Sequence, residues 1–216
     1  MKTIYCISGF GADHRVFGRL NLKGYNVHAV NWLEPLPHEK IEAYAHRLAA
    51  VIQDPRPILL GFSFGGMMAI ELAKFIATDR VIIISSIKTF RELPGWMRLT
   101  GKLHLDQIVP LKTFGLIEPI ENHNLGVETK EEKSLVRAYR KSVSQRYTNW
   151  AVHQILNWKN EWQPERLVHI HGARDHIFPI RNIQADYRIE DGGHFMIMNR
   201  SDKVNNILQE ILQLPS

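Results

Sequence analysis

Cysteine is nearly absent from this sequence. Only Cys6 occurs among 216 residues, which excludes an internal disulfide framework. Cys6 stands inside a short apolar segment, so we expect a buried thiol there rather than a nucleophile. The N-terminal residues show no signal-peptide pattern, and together with the lone cysteine this favours a cytoplasmic location.

Long apolar runs are absent as well, and no stretch approaches the roughly 20 residues that a membrane-spanning helix needs. We therefore expect no membrane partner. Hydrophobic residues make up 44% of the chain and charged residues 23%, an ordinary composition for a globular protein. At this length we expect a single domain, 1–216.

Concentrated positive charge is also missing, although the formal net charge is +5. The densest basic stretch, 137–146, alternates with apolar residues in the way of an amphipathic helix with a solvated face. No nucleic-acid recognition motif accompanies it, so we expect no nucleic-acid partner. The sequence leaves the oligomeric state open.

Short apolar segments alternate with amphipathic helical patterns along the chain. We predict strands at 3–7, 26–32, 57–60, 81–84, 167–170 and 185–189, and helices at 39–52, 67–77 and 204–212. Asp13 is placed to cap a further short helix. This alternation predicts an α/β fold, a three-layer α/β/α sandwich with a mostly parallel sheet of about six strands. The stretch of approximately 88–163 has helical patterns only, and we interpret it as a helical lid insertion.

A G-x-S-x-G sequence, Gly61 to Gly65, lies between the third predicted strand and the next helix. A strand that turns sharply into a helix at this point would expose the hydroxyl of Ser63. The two glycines would allow the backbones to approach closely, where a Cβ would clash. An ordinary glycine-rich loop is the alternative, but the strand before the motif and the helix after it favour a nucleophile turn.

Three places in the chain resemble the α/β-hydrolase family, and the resemblance extends from residue 3 to about residue 212. They are the Ser63 motif, the Ser8-Gly9-Phe10-Gly11 loop after the first strand, and the region from Asp175 to His194. The resemblance implies a serine nucleophile followed along the chain by an acid and then a histidine. It also implies hydrolase activity without a metal or another cofactor.

His194 is our candidate for the general base, which a serine hydroxyl needs because it is a poor nucleophile at neutral pH. The base should follow the acid in the sequence, and only His176 and His194 follow Asp175, the candidate acid. The side chain of His176 would diverge from the adjacent Asp175 on an extended backbone. His194 follows two glycines after the last strand, and its loop resembles the histidine loop of the family.

Asp175 is our candidate for the carboxylate that fixes the tautomer of the histidine. It closes a strand in a G-x-x-D pattern that resembles the family's acid. Asp186 would lie at the wrong end of the sheet, and Asp191 is close enough to His194 to be a turn residue. The alternative for Asp175 is a loop carboxylate that caps a helix or pairs with Arg174 or Arg181.

The resemblance also indicates two backbone donors for an oxyanion, the N–H groups of Phe64 and Phe10, with Gly11 as an alternative to Phe10. Ser8 stands where the family often has a histidine, which leaves open how this loop is held. His169 and His171 alternate along one predicted strand, like part of a metal site. We expect hydrogen-bonded histidines and no metal, because no further ligand cluster completes the site.

Aromatic residues near the motif and in the insertion are our candidates for a substrate pocket: Phe62, Trp96, Phe114 and Trp150. The alternative is that they pack helices onto the core. The sequence as a whole predicts a serine hydrolase that cleaves a small ester or thioester through an acyl-enzyme. The rival hypothesis is a non-catalytic α/β-hydrolase-like protein that binds a small ligand.

Overall fold

The structure, a computed structural model, describes residues 1–104 and 118–214 and contains a parallel six-stranded sheet. The strands are β1 (Thr3–Ile7), β2 (Asn26–Val30), β3 (Ile58–Phe62), β4 (Arg80–Ile84), β5 (Leu167–Gly172) and β6 (Tyr187–Ile189). Their order in the sheet is β2-β1-β3-β4-β5-β6, and every neighbouring pair is parallel. The predicted fold class is therefore confirmed.

Helices cover both faces of this sheet. They are α1 (Ile41–Ala49), α2 (Phe64–Leu72), α3 (Gly95–Lys102), α4 (Glu118–Leu125), α5 (Lys130–Ser142), α6 (Gln145–Asn157), α7 (Met196–Asn199) and α8 (Ser201–Gln213). Short 3-10 helices lie at His14–Phe17, Phe90–Glu92 and Ile180–Asn182. None of these described helices is both long enough and apolar enough to cross a bilayer.

The core has two halves because successive strand side chains point to opposite faces of the sheet. On one face, Leu59 and Ile83 pack with the buried sides of α1, α2 and α6. On the other face, Leu60 and Ile82 pack with the buried sides of α5 and α8. Cys6 lies in this second half, buried as expected, and burial raises the pKa of its thiol to about 12.

Local signals in the sequence account for several helix starts. The side chain of Asp13 accepts a hydrogen bond from the N–H of Arg15 and caps the first 3-10 helix, as predicted. Thr129 and Glu132 form a reciprocal capping box that begins α5. The strand predicted over 26–32 ends earlier, at Val30.

The helix after the serine differs most from the prediction. It occupies Phe64–Leu72, whereas the pattern indicated 67–77. Gly65 and Gly66 are poor helix formers in isolation, but both are buried inside α2. Tertiary packing therefore decides where this helix begins.

Between β4 and β5, the described residues form a 3-10 helix and the helices α3 to α6, with no strand among them. The buried sides of α5 and α6 pack on opposite faces of the sheet. That this segment acts as a lid stays a prediction.

Candidate active site

Ser63 lies at the sharp turn between β3 and α2. Its backbone has φ 53° and ψ −122°, in a region that residues other than glycine seldom adopt. The N–H of Ser63 donates to the carbonyl of Ile84 at 2.9 Å, and the hydroxyl of Ser86 donates to the carbonyl of Ser63 at 2.7 Å. These bonds from β4 and the loop after it hold the strained residue with its side chain half-buried.

The glycines around Ser63 are required by close backbone contacts. A Cβ at Gly65 would collide with the carbonyl oxygens of Ile7 and Ser8 at the end of β1. A Cβ at Gly61 would collide with the backbone of the first turn of α2. The steric reason predicted for both glycines is therefore confirmed, because strand and helix meet without room for a side chain.

His194 lies within hydrogen-bonding distance of Ser63, although 131 residues separate them in the sequence. The distance from His194 Nε2 to Ser63 Oγ is 2.9 Å. The histidine is buried between the rings of Phe62 and Phe178, each with its centroid 5.6 Å from the imidazole. These contacts fix the ring plane with one nitrogen directed at the serine.

The other nitrogen of this imidazole, Nδ1, lies 2.8 Å from Oδ2 of Asp175. The second carboxylate oxygen, Oδ1, accepts hydrogen bonds from the N–H groups of Ile177 and Phe178 at 2.8 and 2.9 Å. Burial raises the pKa of Asp175, but the neighbouring His194 and His171 and the hydrogen bond from the Phe178 N–H together outweigh it, so the pKa lies below its usual value. Asp175 is therefore a carboxylate at neutral pH.

The alternative acids and the alternative base lie elsewhere. Asp186, which precedes β6, accepts the backbone N–H of His169 in the middle of β5 at 2.8 Å, away from the strand end that Asp175 follows. Asp191 forms ion pairs with Arg200 and Lys203 at 3.0 and 2.7 Å. His176 is exposed, and its ring lies 5.0 Å from that of His123 on α4.

The loop after β1 is held by its serine. The hydroxyl of Ser8 donates to the carbonyl of Ala12 at 2.7 Å and accepts the indole N–H of Trp32 at 3.0 Å. Within the described residues, the N–H groups of Phe10 and Phe64 donate no hydrogen bond to another protein atom. That these two groups bind an oxyanion stays a prediction.

The aromatic candidates occupy different places. The ring of Phe62 packs against His194, and Trp150 packs against Phe64 with ring centroids 5.9 Å apart. Trp96 lies on α3 with 62% of its surface exposed. Phe114 lies outside the described residues. A role in substrate binding stays a prediction for all four candidates.

Sequence reasoning missed one aromatic contact and one polar connection. Trp32, after β2, stacks on Phe64 with centroids 5.2 Å apart, and a sequence pattern gives no sign of this long-range contact. His169 and His171 are hydrogen-bonded, as expected, with His169 Nε2 3.1 Å from His171 Nδ1. Their connection to the Asp175 loop was not foreseen.

In the part of the chain that the structure describes, no group of three or more potential ligands is placed to hold a metal ion.

A family model supports what the geometry indicates. Residues 4–207 match the model described as the alpha/beta hydrolase family. The chain belongs to this family. Among curated proteins, none matches the sequence significantly.

Several solved structures share the alpha/beta hydrolase fold of the chain. An esterase from Exiguobacterium antarcticum is 16% identical with a TM-score of 0.74, over 99% of this chain and 92% of that one. A bromoperoxidase from Bacillus anthracis is 15% identical with a TM-score of 0.74, again over 99% and 92%. A thermophilic esterase from Thermogutta terrifontis is 17% identical with a TM-score of 0.73, over 99% and 90%. At these identities the likeness concerns the fold alone.

Proposed function

We propose that this alpha/beta hydrolase is a serine hydrolase that cleaves a small ester or thioester through an acyl-enzyme. One observation carries the proposal. Ser63 Oγ lies 2.9 Å from His194 Nε2, and His194 Nδ1 lies 2.8 Å from Asp175 Oδ2. A hydroxyl, an imidazole and a carboxylate in this sequence of contacts have the roles of nucleophile, base and orienting acid.

In the first half of the proposed reaction, His194 Nε2 takes the proton of Ser63 as Oγ bonds to the substrate carbonyl carbon. The imidazolium then gives that proton to the leaving alcohol or thiol, and the bond from the carbonyl carbon to the leaving group breaks. In the second half, water attacks the acyl-enzyme and His194 takes its proton. The proton passes to Ser63 Oγ as the acid departs. Asp175 stabilises the imidazolium in both halves.

The oxyanion of each tetrahedral intermediate would be bound by the N–H groups of Phe64 and Phe10, with Gly11 as the alternative to Phe10. Phe64 is the first residue of α2, where N–H groups have no acceptor within the helix. Removal of one such donor from a serine hydrolase typically costs on the order of 100- to 1000-fold in kcat.

Aromatic side chains beside these donors support the proposal that the acyl group of the substrate is small. Phe10 stacks near Tyr147 with centroids 6.3 Å apart, and Trp32 stacks on Phe64. Among the residues that we propose for substrate contact, Phe62 and Trp150 are already buried against their neighbours. Trp96 and Phe114 would contact substrate from the helical insertion, approximately 88–163, acting as a lid.

The rival function is a non-catalytic protein that binds a small ligand on the same fold. The similar structures include esterases and a bromoperoxidase, so the fold cannot decide the chemistry. The contacts from Asp175 through His194 to Ser63 favour the enzyme, because binding alone does not require all three groups. A small-molecule substrate without cofactor, nucleic acid or membrane partner, and a cytoplasmic location, remain predictions from the sequence.

A fluorophosphonate probe tests the proposal directly. It should label the wild-type protein at Ser63, because the activated Ser63 oxygen attacks the phosphorus, the phosphorus–fluorine bond breaks with loss of fluoride, and the resulting phosphonyl ester is stable. The Ser63→Ala variant should not label, and His194→Ala should label far more slowly. Labelling is read by intact-protein mass spectrometry.

Hydrolysis of p-nitrophenyl acetate provides a second reading on the same three proteins. If the wild-type protein is neither labelled by the probe nor able to hydrolyse the acetate ester, the result would favour the hypothesis of a non-catalytic binding protein. Wild-type labelling that persists in Ser63→Ala would place the nucleophile elsewhere.

A further inference from the structure

Two buried histidines on β5 lie directly behind the Asp175 loop. His169 and His171 are fully buried and point to the same face of the sheet, because they are two residues apart on a strand. His169 Nε2 lies 3.1 Å from His171 Nδ1. His171 Nε2 lies 2.8 Å from the carbonyl oxygen of Phe178 and 3.5 Å from Asp175 Oδ2. No step of the proposed mechanism uses either ring.

These distances assign the protons. The carbonyl of Phe178 can only accept, so His171 Nε2 carries a hydrogen. Burial lowers the pKa of His171 below its usual value, and burial lowers that of His169 further. Both rings are therefore neutral at neutral pH, and His171 Nδ1 is an acceptor. It follows that His169 Nε2 donates to it, and both histidines are Nε2–H tautomers.

Phe178 connects this pair to the candidate active site through three contacts. Its carbonyl accepts the hydrogen bond from His171, and its N–H donates to Asp175 Oδ1 at 2.9 Å. Its ring meets the ring of His194 at an interplanar angle of 66°. A residue that holds the Phe178 carbonyl therefore restrains the same residue whose N–H binds the acid and whose ring packs on the base.

We propose that His171, itself oriented by His169, is the positioning residue that holds the Asp175–Phe178 turn so that Asp175 Oδ2 faces His194. The proposal rests on the proposed hydrolase function for its catalytic consequence. His171 acts by donating to the Phe178 carbonyl. The distance of 3.5 Å from His171 Nε2 to Asp175 Oδ2 is too long for a strong hydrogen bond. It adds only a favourable interaction between the N–H dipole and the carboxylate.

The titratable groups that face the pair are few. Asp175 and His194 act on His171, and Lys88, which follows β4, acts on His169. Asp186 accepts the backbone N–H of His169 from the loop before β6, which fixes the position of that residue on the strand. The negative charge of Asp175 favours a proton on His171, and the positive charge of Lys88 disfavours one on His169. Burial dominates for both rings.

The kinetic test compares His171→Leu with His171→Gln. Leucine removes the donor, whereas the glutamine Nε2 reaches the same place and can donate to the Phe178 carbonyl. With p-nitrophenyl acetate, we expect His171→Leu to lower kcat about 10- to 100-fold and change KM less than about 2-fold, since only the alignment of the base is lost. His171→Gln should recover most of the loss.

The pH profile is a readout that a merely structural defect would not move. A displaced Asp175 stabilises the imidazolium less, so the acid limb of kcat/KM should shift to lower pH in His171→Leu and return in His171→Gln. Equal losses in a folded His171→Leu and His171→Gln, or an unchanged acid limb in His171→Leu, would overturn the proposal.

A spectroscopic test needs no substrate and no stable variant at position 171. In protein labelled with 15N-histidine, long-range 15N–1H spectra distinguish the two neutral tautomers from the charged ring. At pH 7.5 we expect neutral Nε2–H forms for both residues, with the His169 signals identified by their loss in His169→Gln and the His171 signals by their shift in the same variant, which replaces the donor to His171 Nδ1. A charged or Nδ1–H ring at His171 would overturn the proposal. A protein that fails to label with fluorophosphonate but shows the expected tautomers would instead refute only the hydrolase function.

Discussion

At the scale of single residues, Asp175 is defined by where its two oxygens point. Oδ1 is held by backbone N–H groups and Oδ2 faces His194. The other nearby carboxylate, Asp191, is paired with two cations and is partly exposed. Of these two carboxylates, Asp175 is therefore the one in contact with the imidazole, and its role as the orienting acid is what the next variant tests.

Replacing Asp175 by asparagine should lower kcat by about 10⁴-fold, because the amide can donate to His194 Nδ1 and so favours the wrong tautomer. Turnover of p-nitrophenyl acetate measures the effect, and circular dichroism checks that the variant folds. Asp191→Asn is the matched control and should keep wild-type turnover. Loss of turnover in Asp191→Asn with an active Asp175→Asn would reverse the two assignments.

These residues could be predicted from the sequence because the chemistry requires particular residue types and the family fixes their order along the chain. Ser63, Asp175 and His194 come together as predicted. The connection from His171 to the Phe178 carbonyl was not predictable, because it depends on how the turn after β5 folds back over the strand. The contacts of Trp32 were not predictable for a similar reason, since its partners Ser8 and Phe64 come from the loop after β1 and from the start of α2.

At the scale of elements, the strand–turn–helix around Ser63 depends on contact between α2 and the end of β1. Gly65 lies against the carbonyl oxygens of Ile7 and Ser8. The boundaries of α2 were predicted least well, since intrinsic propensity disfavours a helix with two glycines in its first turn. Burial of the whole helix between the sheet and α1 overrides that propensity.

Gly65→Ala should destabilise the protein by about 1–3 kcal/mol or more, since the methyl group has no space against β1. It should also slow fluorophosphonate labelling by displacing Ser63. Urea unfolding measures the first effect. Gly95→Ala is the control, because a Cβ there approaches only the end of the Arg98 side chain at 3.9 Å, and it should be neutral or slightly stabilising. Equal stability of the two variants would contradict the packing argument.

At the scale of the whole molecule, the strand alternation predicted the parallel sheet and its two helical layers. The inner strands β1, β3 and β4 are buried throughout, as expected for a parallel sheet, whereas the edge strands β2 and β6 contain exposed residues. The order of the strands and the course of the chain between β4 and β5 depend on long-range packing, which a periodic pattern does not encode.

The stability of the fold should fall as the pH drops below about 6.5. An unfolded histidine titrates near that value, whereas burial lowers the pKa of His169 and His171 in the folded state. The unfolded chain therefore binds more protons than the folded chain below that pH, and this contribution is complete only above it.

Urea unfolding at pH 7.5 and 5.5 measures this dependence. Between these values the wild-type protein should lose more free energy of unfolding than His169→Gln, which has no ring to protonate at that position. Identical losses in the two proteins would show that His169 titrates normally in the folded state.

The hydrogen bond from Trp32 to Ser8 has a consequence for attempts to re-engineer this protein. It joins the loops after β1 and β2, so neither can be redesigned alone. Exchanging Ser8 for the histidine frequent in the family would take away the acceptor of the indole. Replacing Trp32 would remove the donor to the Ser8 hydroxyl, which would keep its hydrogen bond to Ala12, and would uncover Phe64. Libraries that vary both positions together should yield functional variants that single-site scans miss.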